Sequence, residues 1–508
     1  MDALVILSFW LVSLSTVVVV WLSSSCHTQK QEKQRRPPGP WTLPIIGSLH
    51  HLVSVAPPHR KITELCRRHG PLMSLKLGEL NTVVVSSAEA AELVMKTNDI
   101  KFASRPNNPT QQIISCGGRG IVFAPYGDHW RQMRKVCTVE LLSSTQVRRM
   151  DHGVRPEEVG SMLGRISISA AGTAAVNLSE MAMSLTNNVV SRAVFGGKFI
   201  QQEDYIRELD VVLTLLGGFC LVDLFPSSRL ARLLSTGARQ MKTSYARMQR
   251  IIQDVIDERA AAGENEEEEE DLLDVLLRLQ KEDSSLTTET ICAVLFDIFS
   301  AATDTTGTAL EWAMSELVRH PHVMAKAQAE IQHLMLATRQ HQQLAVITHT
   351  HLAQLQYLRM VIKEVLRLHL PAPLIPRMTR QDCKILGYDM PNGTVVLVNI
   401  FSVSRDPKYW KNPEEFLPER FADDSVDYNG TNFEFTPFGA GRRQCPGMLF
   451  ATSTLEIALA NLIYHFDWVL PAPGGASPAE SLDMSEKFGM TVGRKYDLEL
   501  IAIPRFPS

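Results

Sequence analysis

Apolar positions along this chain fall into three patterns, and each predicts a different element. From Ala3 to Leu22 they run as ALVILSFWLVSLSTVVVVWL, 20 residues without a charge, long enough to cross a hydrocarbon core. From Leu72 to Ser86 they alternate in part and are β-branched (Leu75-Lys76-Leu77, Thr82-Val83-Val84-Val85), which predicts a β-hairpin. Most of the remainder has helical spacing. A long helix is predicted from about Thr287 to His320, stopped by Pro321, roughly 50 Å of rise. A second covers about Leu355 to His369 and stops before Pro371, and an apolar run from Met448 to about Trp468 reads as a third. Gly263 to Asp271, with Glu266 to Glu270 in one run, and Gln340 to Gln343 read as solvated loops between helices. No internal repeat is evident.

The charges beside the first apolar run give it a direction. Lys30, Lys33, Arg35 and Arg36 follow it against Glu32, and Asp2 precedes it with no basic residue. The positive-inside rule then places the bulk of the chain in the cytosol. A cleaved signal peptide, with Ser23-Ser24-Ser25 near the cut, would need a basic leading segment, so an uncleaved anchor is expected. Pro37-Pro38-Gly39-Pro40-Trp41-Thr42-Leu43-Pro44 is a stiff extended stretch, because proline fixes φ and disfavours helix. The expected division is an anchor over 1–24, a basic and proline-rich hinge over 25–48, and a catalytic domain over 49–508.

Composition narrows the class. The 508 residues are 45% hydrophobic and 21% charged, with a net charge of −4, so nothing favours nucleic acid as a partner. Eight cysteines lie far apart with no C-x-x-C pair, which argues against a zinc site or disulfide framework. In the cytosol the sequons at Asn177, Asn392 and Asn429 would stay unglycosylated.

The candidate chemistry centres on Cys445. It ends a glycine-rich loop, Phe438-Gly439-Ala440-Gly441-Arg442-Arg443-Gln444-Cys445-Pro446-Gly447, just before the third helix. A thiolate at a helix start is stabilised by backbone N–H groups and the helix dipole, which suits a metal ligand or a nucleophile. Taken alone, Cys445 would read as one more buried cysteine. In the long helix, Ala301-Ala302-Thr303-Asp304-Thr305-Thr306 sets an acid beside hydroxyls at mid-helix, where these residues compete with backbone bonding. A local rule broken in a good helix points to function. Glu364 and Arg367 share a face of the second helix at i, i+3.

Together these segments resemble the cytochrome P450 family, from anchor to C-terminus. The pattern F-x-x-G-x-R-x-C-x-G is similar to the family's haem-binding loop, K-E-V-L-R to its E-x-x-R, and Pro418-Glu419-Arg420-Phe421 to its P-E-R-F. PPGPWTLPIIG, FAPYGDHWRQMRK and FGAGRRQCPG look like the plant A-type microsomal group.

The resemblance implies the P450 fold, mainly α with small β-sheets (α+β), as one large catalytic domain behind a transmembrane helix. It implies haem b with Cys445 as axial ligand of the iron, held also by Phe438 and Gly447 of the loop. Trp130 and Arg134 of a W-x-x-x-R segment, Arg377 and Arg443 would meet the haem propionates. Thr305 would hydrogen-bond dioxygen and Asp304 would relay protons. Ala302 departs from the usual glycine and would narrow the groove there. Glu364, Arg367 and Arg420 would form a structural network behind the loop, since buried charges need partners. Pocket walls would include Ile113, Ile114, Leu216, Phe219, Phe299, Ala301, Ala302, Leu374, Ile375 and Met490, with no charged anchor, which favours a lipophilic substrate.

No dinucleotide fingerprint is present, so electrons would come from NADPH through a separate cytochrome P450 reductase, docking near Arg131, Lys135 and Arg442. The location implied is the endoplasmic reticulum membrane. The expected activity is a monooxygenase acting with O2 on a plant specialised metabolite, a terpenoid by preference, with a phenylpropanoid, an alkaloid or an amino-acid-derived oxime as alternatives. Two other classes compete: a haem protein that binds without turnover, and a cysteine hydrolase at Cys445, which would need a histidine base within reach.

Overall fold

The computed structural model describes residues 35–506 apart from 173, 218–219, 263–270, 283–285, 338–345, 473–474 and 478–480. The apolar run at Ala3–Leu22 and the polar stretches at 263–270 and Gln340–Gln343 therefore lie outside the described residues. Among those described, no helix is long and apolar enough to cross a membrane.

Helices dominate and small sheets flank them. The helices that matter for the site are α1 (Asp128–Glu140), α2 (Leu178–Phe195), α3 (Gln202–Gly217), α4 (Thr288–Arg319), α5 (Gln356–Leu368) and α6 (Met448–His465). The hairpin forms as the alternation predicts, from β1 (Leu72–Leu77) and β2 (Leu80–Val85), with Leu72 opposite Val85. It joins a four-stranded sheet with β3 (Leu374–Met378) and β4 (Val395–Asn399) in the order β1-β2-β4-β3. The β2–β4 pair is parallel and the other two are antiparallel.

The long helix is observed within a residue of its predicted ends. Thr287 caps it by accepting the Thr290 N–H, and Pro321 follows its C-cap, His320. It is buried on nearly every side, as expected of a helix apolar all round. It packs along α2 and also against α5 and α6. The third predicted helix ends earlier than expected, at His465, because Phe466–Ala472 turns into a strand that pairs with Glu499–Pro504.

Candidate active site

The Cys445 loop is built by glycine and by one tight turn. Gly441 has φ +69°, and a Cβ there would lie 2.0 Å from the Met95 carbonyl oxygen, so no side chain fits. The Cys445 N–H donates to the Phe438 carbonyl at 2.9 Å, and α6 begins three residues later behind its N-cap Gly447. The thiol opens onto a cavity of about 460 Å3 that Phe438, Arg443, Gly447, Phe450 and Ala451 also line. Burial pushes this thiol up, and the Gly447 N–H and Arg134 oppose the shift. A cation bound at the sulfur would reverse that balance, since a coordinating thiol is deprotonated outright.

Helix α4 forms a second wall of the same cavity through Ile298, Ala301, Ala302, Thr305, Thr306 and Ala309. Thr305 Oγ1 donates to the Ala301 carbonyl at 2.6 Å, which leaves its lone pairs for the cavity. Asp304, one residue away on the helix, does not line the cavity. It bonds instead to Thr491, with Asp210 and Lys487 acting on it from the surface, and burial pushes its carboxyl up. The pair thus bridges inside and outside rather than facing the cavity together.

Arginines gather on another side. Arg134 donates to the Gln444 carbonyl at 2.5 Å, and Arg443 to the carbonyls of Ala103 at 2.7 Å and Ala124 at 2.6 Å. Arg105 donates to the Val122 and Pro376 carbonyls. Arg105, Arg134 and Arg443 line the cavity. Arg377 sits behind them, fully buried, with Nε and Nη1 unpartnered. Burial and mutual repulsion push Arg443 down to about 8 and Arg105 to about 10, and hold Arg377 well below its usual range; Asp99 opposes this in part for Arg443 and Arg377. Such crowding fits a dianion on the cavity side.

Trp130 plays another part than expected. Its indole N–H is committed to the Ile121 carbonyl at 3.0 Å, and its ring supports the guanidinium of Arg443 at 4.3 Å and of Arg134 at 5.4 Å. Arg105 was not legible in the sequence, because an isolated arginine in Ala103-Ser104-Arg105-Pro106 has no spacing partner.

Behind the loop, the expected network is present. Glu364 and Arg367 are fully buried and pair in a fork at 2.7 and 2.9 Å. Glu364 Oε1 also accepts from Arg420 Nε at 2.9 Å and from the Leu417 N–H at 2.8 Å. Arg367 donates onward to the carbonyls of Ser404, Pro413 and Glu415.

Of the expected pocket residues, Leu216, Ala301, Ala302, Leu374, Ile375 and Met490 line the cavity. Phe219 lies outside the described residues. Three expectations are corrected. Phe299 follows Ile298 by one residue, so it points away from the cavity, into an aromatic group with Tyr205 at 5.0 Å, Phe195 and Phe199. Ile114 is fully buried in the main core, and Ile113 packs on that core from its edge. The wall they were expected to form comes instead from Ile121, Val122 and Phe123.

Asp297 holds that wall. This carboxylate is buried (1% exposed), and its Oδ2 accepts the N–H groups of Ile121 at 2.6 Å and Val122 at 2.9 Å. Burial pushes it up to about 7 against those two donors.

A thiol at a helix start, a hydroxyl-bearing helix and an arginine cluster around one cavity fit a metal porphyrin with acidic side chains, and comparison agrees. The cytochrome P450 family model matches residues 37–491. The chain is 44% identical to desmethyl-deoxy-podophyllotoxin synthase of Sinopodophyllum hexandrum, covering 97% of both chains. It is 43% identical to the ent-isokaurene C2/C3-hydroxylase of Oryza sativa subsp. japonica, covering 96% of both. Among solved structures, a zebrafish cytochrome P450 with abiraterone superposes with a TM-score of 0.73 at 25% identity, covering 89% of this chain and all of that one. The chain belongs to the cytochrome P450 family, in its plant A-type group. It is therefore an oxidoreductase of the monooxygenase kind, with a haem-thiolate cofactor.

Proposed function

We propose that this chain is a membrane-anchored monooxygenase that hydroxylates a lipophilic plant specialised metabolite of the terpenoid class. The observation that carries the reading is that the Cys445 thiol, the Thr305 hydroxyl and Arg105, Arg134 and Arg443 line one largely apolar cavity from separate elements. A relative of similar length is named for hydroxylating ent-isokaurene. Electrons come from NADPH through a separate flavoprotein reductase, and exposed Arg131, Lys135 and Arg442 offer it a basic face. The domain from 49 to 508 faces the cytosol at the endoplasmic reticulum, held there by residues 1–24 through the hinge at 25–48.

Haem, when bound, supplies the activation of O2 and the insertion of one oxygen atom. The residues of this chain prepare that step. Cys445 gives a thiolate, and Gly447 donates its N–H to the sulfur. Arg134 and Arg443, with Arg105 beside them, would hold the acidic groups of the haem, backed by Arg377 and Trp130. Thr305 keeps its hydrogen on the Ala301 carbonyl and presents an oxygen that accepts a proton-bearing partner. Asp304 takes protons from the surface side, past Asp210 and Lys487. Leu374, Ile375, Met490, Ala301 and Ala302 exclude water and present an apolar face to the substrate.

The test is the carbon-monoxide difference spectrum of the reduced protein beside Cys445→Ser. The expected result is a strongly red-shifted Soret band that the variant lacks, followed by terpenoid hydroxylation when reductase and NADPH are supplied. An ordinary histidine-type band, or no haem, would refute the assignment. Haem binding without reductase-dependent turnover would leave a non-catalytic haem protein.

A further inference from the structure

The segment Gly120–Ala124 is held from both sides by opposite charges. On its N–H side, Asp297 Oδ2 accepts from both Ile121 and Val122. On its carbonyl side, Ile121 O accepts from Trp130 Nε1 at 3.0 Å and Arg443 Nη1 at 3.3 Å, Val122 O from Arg105 Nε at 3.1 Å, and Ala124 O from Arg443 Nη2 at 2.6 Å. The peptide between Ile121 and Val122 therefore lies with its N–H on a carboxylate and its C=O on a guanidinium, the stronger class of hydrogen bond at both ends. The side chains of Ile121, Val122 and Phe123 line the cavity. The approach is close: a Cβ on Gly120 would lie 2.1 Å from Asp297 Oδ2.

We propose that Asp297 is a positioning residue for the oxygenation, clamping the Ile121–Phe123 wall between helix α4 and the arginine cluster and so fixing the cavity width beside Ala301 and Thr305. The proposal rests on the monooxygenase reading above and adds a specificity determinant to it. Only one oxygen is used. Oδ1 is buried and has no hydrogen-bond partner, although Asp297 is among the residues lining the cavity. An amide carbonyl would keep an acceptor in the clamp, without the charge and with its NH2 at the partnerless Oδ1 position.

The experiment compares Asp297→Asn, Asp297→Ala, Gly120→Ala and the double variant Asp297→Ala/Gly120→Ala as full-length holoproteins. Two readouts are independent of turnover: amide hydrogen exchange at Ile121 and Val122, and Soret titrations with imidazole and with the bulkier 4-phenylimidazole. In Asp297→Ala and Gly120→Ala, exchange should quicken and 4-phenylimidazole affinity should change by about tenfold or more, the loss of at least one bond to a charged acceptor. Imidazole affinity should stay within about twofold. Asp297→Asn should fall between the wild type and Asp297→Ala, because it keeps an acceptor and loses the charge. The double variant should match the single ones, because one contact is broken twice.

The clamp is refuted if Asp297→Ala exchanges and binds as the wild type does. It is equally refuted if Asp297→Asn is more impaired than Asp297→Ala, or if the double variant shows the summed effect. Should Asp297→Ala not fold, Asp297→Asn and Gly120→Ala decide alone. A red-shifted carbon-monoxide band in the wild type with any of these failures would sink the clamp and leave the haem assignment standing; absence of the band in the wild type would sink the haem assignment itself.

Discussion

Thr305 gives its hydrogen to the Ala301 carbonyl, so what it offers the cavity is an acceptor. Thr305→Ala removes that acceptor and little packing. Product formed per NADPH should fall by about an order of magnitude, with hydrogen peroxide making up the difference; paired assays of NADPH, product and peroxide check it. The Glu364–Arg367 pair is a different matter, fully buried and away from the cavity. Replacing Glu364 by Ala leaves two guanidinium groups without their carboxylate, at a cost of roughly 3–5 kcal/mol. Holoprotein yield and the denaturant midpoint should drop together. Both sets of residues were legible because their partners sit at short fixed spacings: Glu364 three residues before Arg367, Asp304 beside Thr305, Cys445 two after Arg443. Arg105 and Asp297 were not legible. Each acts on residues far away in sequence, and no local pattern marks either one.

Helix α4 does three jobs along its length, and its periodicity assigns them. Ile298, Ala301, Ala302, Thr305 and Ala309 face the cavity, while Phe299 turns to the aromatic group beneath α2 and α3. The sequence predicted the helix to within a residue and set Ala301, Ala302 and Thr305 on the cavity face, but it misplaced Phe299, because apolar residues surround the helix and no polar stripe marks the edge of the open side. Near its C-terminal end, buried Glu316 accepts from His369, the C-cap of α5, at 2.6 Å, and lies 3.2 Å from the ring of His320. These partners hold the Glu316 carboxyl down at about 2 despite its burial, and Glu316 holds His320 above its usual 6.5. The signs then differ. Glu316 contributes stability above its unfolded pKa near 4.5 and loses it as pH falls toward 2. His320 contributes below 6.5 and loses it as pH rises through its raised value. This cluster should therefore favour a stability maximum between those limits, and Glu316→Gln should flatten both flanks. Thermal melts from pH 4 to pH 9 check the alkaline flank and the onset of the acid one.

At the scale of the whole molecule, the arginine cluster is a stored repulsion that a dianion relieves. The apoprotein should melt several degrees below the holoprotein, and hemin should restore the difference in proportion to its occupancy. A porphyrin whose two acid groups are esterified should restore much less, which calorimetry with both ligands can show. A second property of the whole concerns time. Strand β2 pairs in parallel with β4, Val85 opposite Val398, so its partner is made about 310 residues later. At 5–20 residues per second, synthesis leaves that edge waiting for roughly 15–60 s. The waiting residues, Thr82-Val83-Val84-Val85, are β-branched, uncharged and paired by β1 on one side only, the kind of edge that recruits other strands. A ribosome stalled anywhere before Val395 therefore releases a nascent chain that is sticky at one defined place, so this protein's demand on chaperones is set by a strand near its beginning and lifted only by one near its end.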